Sequence, residues 1–272
     1  MRVVYFLPDS TNPFWKEVVA GIEKSGLPEG VSLEVVSCDH DGARQLAQLR
    51  AYASYKPDAV FVSPVDVNGI LPACRAAIAA GKPVIAIDNN LANVTANVIS
   101  GNMKGGALAA AHIADKKGVG AKVVHVKAEE HLQNVKLRSS AFVGEATKRG
   151  LTIVGAIQAD SSREIARAKM AELLRKGIRF DAVFAENDAM AIGAIAAIEE
   201  ARLSPHPMIV GYDGTAEARE LIRSKRMDAS VAQDAMLLGE KAVEALVATV
   251  KGNPVQNLVM LLPHLVTAAD LK

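Results

Sequence analysis

Asp58-Ala59-Val60-Phe61 recurs 123 residues on as Asp181-Ala182-Val183-Phe184, and the stretch downstream of each copy recurs too. After the first copy lies Pro83-Val84-Ile85-Ala86-Ile87-Asp88; after the second lies Pro207-Met208-Ile209-Val210-Gly211-Tyr212-Asp213. Val3-Val4 and Val123-Val124 open the two halves. A repeat this long exceeds the roughly 20–50-residue unit of a solenoid. It predicts two similar α/β units, each with a buried strand that ends in an aspartate. In open α/β sheets ligands sit outside the carboxyl ends of the strands. The two ends therefore predict a cleft with Asp88 on one wall and Asp213 on the other.

Bulk composition agrees with two lobes. The chain has 272 residues, 50% of them hydrophobic, which suits one large domain or two of ordinary size. Aromatic content is 4%, so alanine-rich helices fill much of the volume. The net charge of +1, without a basic block, leaves no nucleic-acid footprint. Cys38 and Cys74 fall on different layers, which argues against a disulfide. No run of about 18 apolar residues exists to span a membrane. Met1-Arg2 leads straight into the first strand, with no basic start and apolar h-region. That fits a cytosolic protein or a mature form behind an added Met, and the residues do not decide between them.

Short apolar, β-branched runs read as parallel strands: Val3–Leu7, Val31–Ser37, Ala59–Ser63, Val84–Asp88, Val98–Gly101, Lys122–Val126, Ile153–Gln158, Ala182–Ala185, Met208–Gly211 and Ala229–Ala232. Amphipathic stretches between them read as helices: Phe14–Lys24, Arg44–Tyr55, Asn68–Ala80, Lys104–Lys116, Asn134–Arg149, Ser162–Lys176, Asp188–Ala201 and Asp234–Val250. The alternation predicts α/β architecture with two parallel, doubly wound sheets. The last helix and Leu258–Leu262 are too few to form anything alone, so this tail is expected to return to the first lobe. That assigns residues 1–101 and 234–262 to one lobe and 102–233 and 263–272 to the other. Hinge crossings then fall near Ser100–Asn102, Gln233–Asp234 and Leu262–Pro263.

The strand ends are polar. After the first strand, Asn12 fits a helix N-cap and Pro13 the first helical position. Capping does not explain Phe14-Trp15. Consecutive helix positions diverge by about 100°, so one ring can pack inward while the other leans over the strand ends and stacks on a sugar ring. Asp88-Asn89-Asn90, Glu186-Asn187-Asp188, Tyr212-Asp213-Gly214-Thr215 and Gln233-Asp234 each lie at or just past a strand end. Singly, each suits a cap or turn. Together they gather carboxylates and amides without an activated nucleophile, a set suited to recognising hydroxyl groups. No glycine-rich dinucleotide loop, phosphate loop or nucleophile elbow is present, and the six histidines lack ligand spacing. Neither a cofactor nor a metal is expected.

Thr11-Asn12-Pro13-Phe14-Trp15, Ile87-Asp88, Asn187 to Ala194, Val210 to Thr215 and Ala232-Gln233 resemble the ribose-type periplasmic binding proteins, in order, from Val3 to about Val266. The resemblance implies type I periplasmic-binding-protein architecture: two Rossmann-like lobes, a three-crossing hinge, and a sugar or polyol trapped between them. It also implies a monomer in the periplasm that delivers to an ABC transporter permease and, in some members, to a chemoreceptor. Carried over by position, the ligand contacts fall on Asn12, Phe14, Trp15, Asp88, Asn187, Asp213 and Gln233. Three family positions are replaced. An arginine after the first aspartate is Asn89, a second arginine is matched by Lys136 with Arg138 close behind, and an aromatic on the other sugar face is Ser161. These replacements imply a roomier, more amide-lined pocket and weigh against ribose itself. Two other readings compete. The effector domain of a lac-repressor-type regulator shares the fold but normally follows a helix-turn-helix. A glycosidase would need paired carboxylates at a set separation.

Overall fold

The computed structural model describes residues 1–27, 30–54 and 57–271. Along the chain run β1 (Arg2–Leu7), α1 (Pro13–Lys24), β2 (Ser32–Ser37), α2 (Gly42–Ser54), β3 (Ala59–Val62), α3 (Val67–Ala79), β4 (Val84–Asp88) and β5 (Ala96–Ser100). Next come α4 (Asn102–Lys117), β6 (Lys122–Lys127), α5 (Gln133–Lys148), β7 (Thr152–Gln158), α6 (Arg163–Arg175), β8 (Ala182–Ala185) and α7 (Asp188–Glu200). The rest is β9 (Met208–Asp213), α8 (Ala216–Arg223), β10 (Ala229–Ala232), α9 (Ala235–Val250), β11 (Leu258–Leu261) and β12 (His264–Thr267). Two compact units result: Met1–Ser100 with Asp234–Leu261, and Gly101–Gln233 with Leu262–Lys272.

Unit 1 holds a six-stranded sheet in the order β11-β5-β4-β3-β1-β2, every neighbouring pair parallel. Strands β1, β3 and β4 are apolar along nearly their whole length because helices cover both faces. One face packs on α1 and α9 through Phe14, Trp15, Val18, Leu238 and Leu246. The other carries Val60, Val62, Ile70 and Cys74. Helix α1 starts where Asn12 Oδ1 accepts the Phe14 N–H at 3.0 Å, with Pro13 at its first position. It lies close against α9 because Gly21 and Gly239 present no Cβ to the carbonyls of Met236 and Val18.

Unit 2 repeats the order as β12-β10-β9-β8-β6-β7. Strands β3 and β8, which hold the duplicated Ala-Val-Phe, occupy the same place in the two sheets. The repeated aspartates have a structural use. Asp58 Oδ2 accepts the Arg2 N–H at 2.7 Å, and Asp181 Oδ2 accepts the Lys122 N–H at 2.8 Å. Each ties the start of the next strand to its own.

Several expected boundaries move. The strand expected to end at Gly211 continues to Asp213, and Ala96, not Val98, opens β5. Helix α2 ends at Ser54; the Tyr55 end expected for it lies outside the described residues. Helix α8, foreshadowed only by a helix-start motif at Asp213-Gly214-Thr215, is eight residues long and capped by Thr215. Strand β12 was not expected. It pairs antiparallel with β10, so the second sheet is mixed rather than wholly parallel. The edge strands β2, β7 and β11 are partly or fully exposed along nearly all their length, unlike the buried centre. Cys38 and Cys74 are buried free thiols, their pKa values pushed up to about 11 chiefly by burial.

Candidate ligand-binding site

In unit 1 the carboxyl ends of β1 and β4 carry the predicted residues. Phe14 and Trp15 sit edge-to-face, ring centroids 4.8 Å apart. Both are core residues, 4% and 7% exposed, so the indole does not stand clear of its sheet as the 100° divergence suggested. Asn12 is half-buried, and its side-chain oxygen is engaged in the cap. Asp88 closes β4 with φ 72 and is 2% exposed. Asn89, next to it and buried, donates to the Pro64 carbonyl at 3.2 Å. Left-handed backbone at a non-glycine residue costs about 1–3 kcal/mol and gathers at binding sites, where neighbouring structure holds it in place. Asp88 also adds to the upward shift that burial gives the Tyr5 phenol, which shares a 2.8 Å hydrogen bond with Ser63.

Unit 2 presents a matching edge. Asp213 closes β9 with φ 115 and is 8% exposed; its Oδ1 accepts Gln233 Nε2 at 2.7 Å. The Gln233 Oε1 is buried and accepts no hydrogen bond among the described residues. Asn187 caps α7, taking the Met190 N–H on Oδ1 at 2.8 Å. Asp188 is fully buried. Its Oδ1 accepts Ser230 Oγ at 2.7 Å and its Oδ2 accepts the Thr215 N–H at 2.8 Å and Oγ1 at 3.0 Å. Burial raises its pKa to about 6 despite those hydrogen bonds. The carboxylate thus pins the turn after Asp213, and Gly211 leaves room for it.

Arg138 and Lys136 part company. Lys136 is exposed, whereas Arg138 is 4% exposed with its guanidinium 3.6 Å from the centre of the Tyr212 ring. It donates to Asn102 Oδ1 from Nε (3.1 Å) and Nη2 (2.7 Å), and to the Glu186 carbonyl from Nη1. Glu186 in turn shares a 2.8 Å hydrogen bond with His125 Nε2 and accepts the Ala128 N–H at 2.7 Å. Burial pushes the Glu186 carboxyl upward, but the His125 bond and charge outweigh it, and the pKa lies below the ordinary value. Ser161, at φ 57, donates to Glu129 Oε2 at 2.6 Å.

Asn102, His125, Glu129 and Tyr212 were not among the expected site residues. Their partners lie 32 to 110 residues away in sequence, so no local pattern points to them. No cluster of three or more His, Cys, Asp or Glu among the described residues is placed to hold a metal. No described helix is long and apolar enough to cross a membrane.

Known proteins share this fold. The periplasmic binding protein domain family matches residues 3–254. The ribose import binding protein of Bacillus subtilis is 34% identical over 250 residues, covering 91% of this chain and 81% of that relative. A putative rhizopine-binding protein of Rhizobium meliloti is 30% identical over 256 residues, covering 89% of this chain and 82% of its own. The crystal structure of a Caulobacter myo-inositol binding protein bound to myo-inositol superposes with a TM-score of 0.92 at 26% identity, covering 100% of this chain and 94% of that one. With a family match over nearly the whole chain and the same α/β sheets, the chain belongs to the periplasmic binding protein family.

Proposed function

We propose that this chain is the solute-binding component of an ABC importer and captures a monosaccharide or related polyol. One observation carries the reading: Asp88 and Asp213 are the last residues of equivalent strands in two equivalent sheets, and both are held at positive φ. Carboxylates accept hydroxyl protons, and amides such as Asn89, Asn187 and Gln233 both donate and accept, which suits a polyol. The contact set proposed is Asn12, Phe14, Trp15, Asp88, Asn89, Lys136, Arg138, Ser161, Asn187, Asp213 and Gln233. A ligand bonded by both aspartates stabilises the closed form of a two-lobed protein, because only closure satisfies both carboxylates at once. A permease would then distinguish loaded from empty protein by shape.

The protein would work as a monomer in the periplasm, without catalysis or a cofactor. Its relatives are import and binding proteins, and the reading as a regulator's effector domain gains no support from them. A thermal-shift screen over pentoses, hexoses, sugar alcohols and cyclitols tests the proposal. A true ligand at about 100 times its Kd adds about 2.7 kcal/mol and raises Tm saturably. A complete lack of response across the set would contradict it.

A further inference from the structure

Along the sheet order of unit 2, the carboxyl edge carries Gln233 after β10, Asp213 ending β9, Asn187 after β8, Glu129 after β6 and Ser161 after β7. Glu129 is the newcomer in this row. We propose that Glu129, clamped by Ser161, is a further specificity-determining residue that takes a hydroxyl group of the ligand. The inference rests on the polyol reading and deepens it.

Glu129 is only 7% exposed, yet it caps neither α5 nor α6, the helices on either side of it and its partner. It lies two residues beyond β6, as Asp9 lies two beyond β1 in unit 1. Each meets the loop after the neighbouring edge strand: Asp9 reaches His40 at 3.7 Å, and Glu129 takes Ser161 Oγ at 2.6 Å. Both loops pass through two successive left-handed residues, Asp39-His40 and Asp160-Ser161, so the placement is built into the repeat. Gln158 Nε2 laces the unit 2 loops further, donating to the Ala128 carbonyl at 2.5 Å and to Asp160 Oδ1 at 2.6 Å.

An ionised carboxylate offers about four acceptor positions, so Glu129 can serve the Ser161 hydroxyl and a ligand hydroxyl together. Gln233 Oε1, 2% exposed, is a second acceptor on the same edge that receives nothing from the described residues. Two acceptors in one row call for donors on the ligand. An aromatic at position 161 would instead cover an apolar ring face. The hydroxyl and carboxylate found there favour a ring that turns a hydroxyl toward this corner.

Calorimetry on the full chain with ribose, D-allose and myo-inositol tests the assignment. Glu129→Gln keeps the shape and still accepts from Ser161. It should weaken the tightest of the three probes about 10- to 100-fold, the loss of a hydrogen bond to a charged group. It should also change the order of preference while Tm stays within about 2 °C. Ser161→Ala, which unclamps the carboxylate without removing it, should cost less, about threefold to tenfold. Unchanged affinity in both variants, or equal weakening of every probe that binds, overturns the role of Glu129 and leaves the polyol reading standing. Wild type that binds none of the three and responds to nothing in the thermal-shift set overturns both.

Discussion

In unit 1 the helix after the first strand brings two rings, Phe14 and Trp15, into the core, whereas the matching helix of unit 2 brings a guanidinium, Arg138. The backbone path around them is alike: the strand order repeats, glycines admit the neighbouring helix, and the fourth strand ends in an aspartate at positive φ. What holds each edge differs. Behind Asp88, unit 1 sets apolar side chains and neutral hydrogen bonds, Tyr5 with Ser63 and Gln45 with the Ser63 carbonyl. Unit 2 relies on buried hydrogen bonds, with Arg138 on Asn102 and the Glu186 carbonyl, Glu186 on His125, and Asp188 on Ser230 and Thr215. A duplicated scaffold thus keeps its chain path while its interior chemistry diverges. Apolar packing is indifferent to pH, while a buried carboxylate is not, so the two units should fail differently.

The largest difference should come from the cation. Arg138→Met removes the charged donors to Asn102 Oδ1 and to the Glu186 carbonyl, and each hydrogen bond to a charged group contributes about 1.5–3 kcal/mol. Urea unfolding should register a loss of about 2–4 kcal/mol. A loss under about 1 kcal/mol would mean that packing, not the polar network, holds unit 2.

Next comes pH. Asp188 titrates at about 6 in the folded chain against the ordinary 3.8. The folded state therefore holds the proton more tightly. Its contribution to stability is fully present below the unfolded value and is lost as pH rises through about 6. Between pH 7.5 and pH 4 the wild type should gain about 2–3 kcal/mol relative to Asp188→Asn, which cannot titrate. Parallel stability curves for the two proteins would remove Asp188 as the source.

The smallest effect is optical and belongs to unit 1. Trp15 is the only tryptophan and is 7% exposed, so ligand uptake can alter its surroundings only slightly. Its emission should still change saturably with a sugar or cyclitol already proven by calorimetry. Unchanged intensity, wavelength and iodide quenching at saturation would confine Trp15 to the core.

Much of this was legible in the residues. The duplicated Asp-Ala-Val-Phe placed two equivalent strands, and the apolar runs leading to Asp88 and Asp213 placed two strand-end carboxylates, because buried parallel strands read as uninterrupted β-branched stretches. Strand β12 escaped because four residues with an antiparallel partner 32 to 38 residues upstream leave no pattern of their own. Helix α8 is two turns long, too short for its periodicity to stand out from its cap. The Arg138–Asn102, Glu186–His125 and Glu129–Ser161 pairs were invisible for a different reason. Each joins residues 32 to 61 apart, and only the folded sheet brings them together.

The central claim is that one ligand is held by the aspartates of both units. Calorimetry of Asp88→Ala and Asp213→Ala, using the tightest-binding of ribose, D-allose and myo-inositol, tests it most directly. Each substitution leaves a ligand hydroxyl without its charged acceptor, and each should abolish measurable binding while far-UV circular dichroism stays that of the wild type. Binding within threefold of wild type in both variants would contradict the account.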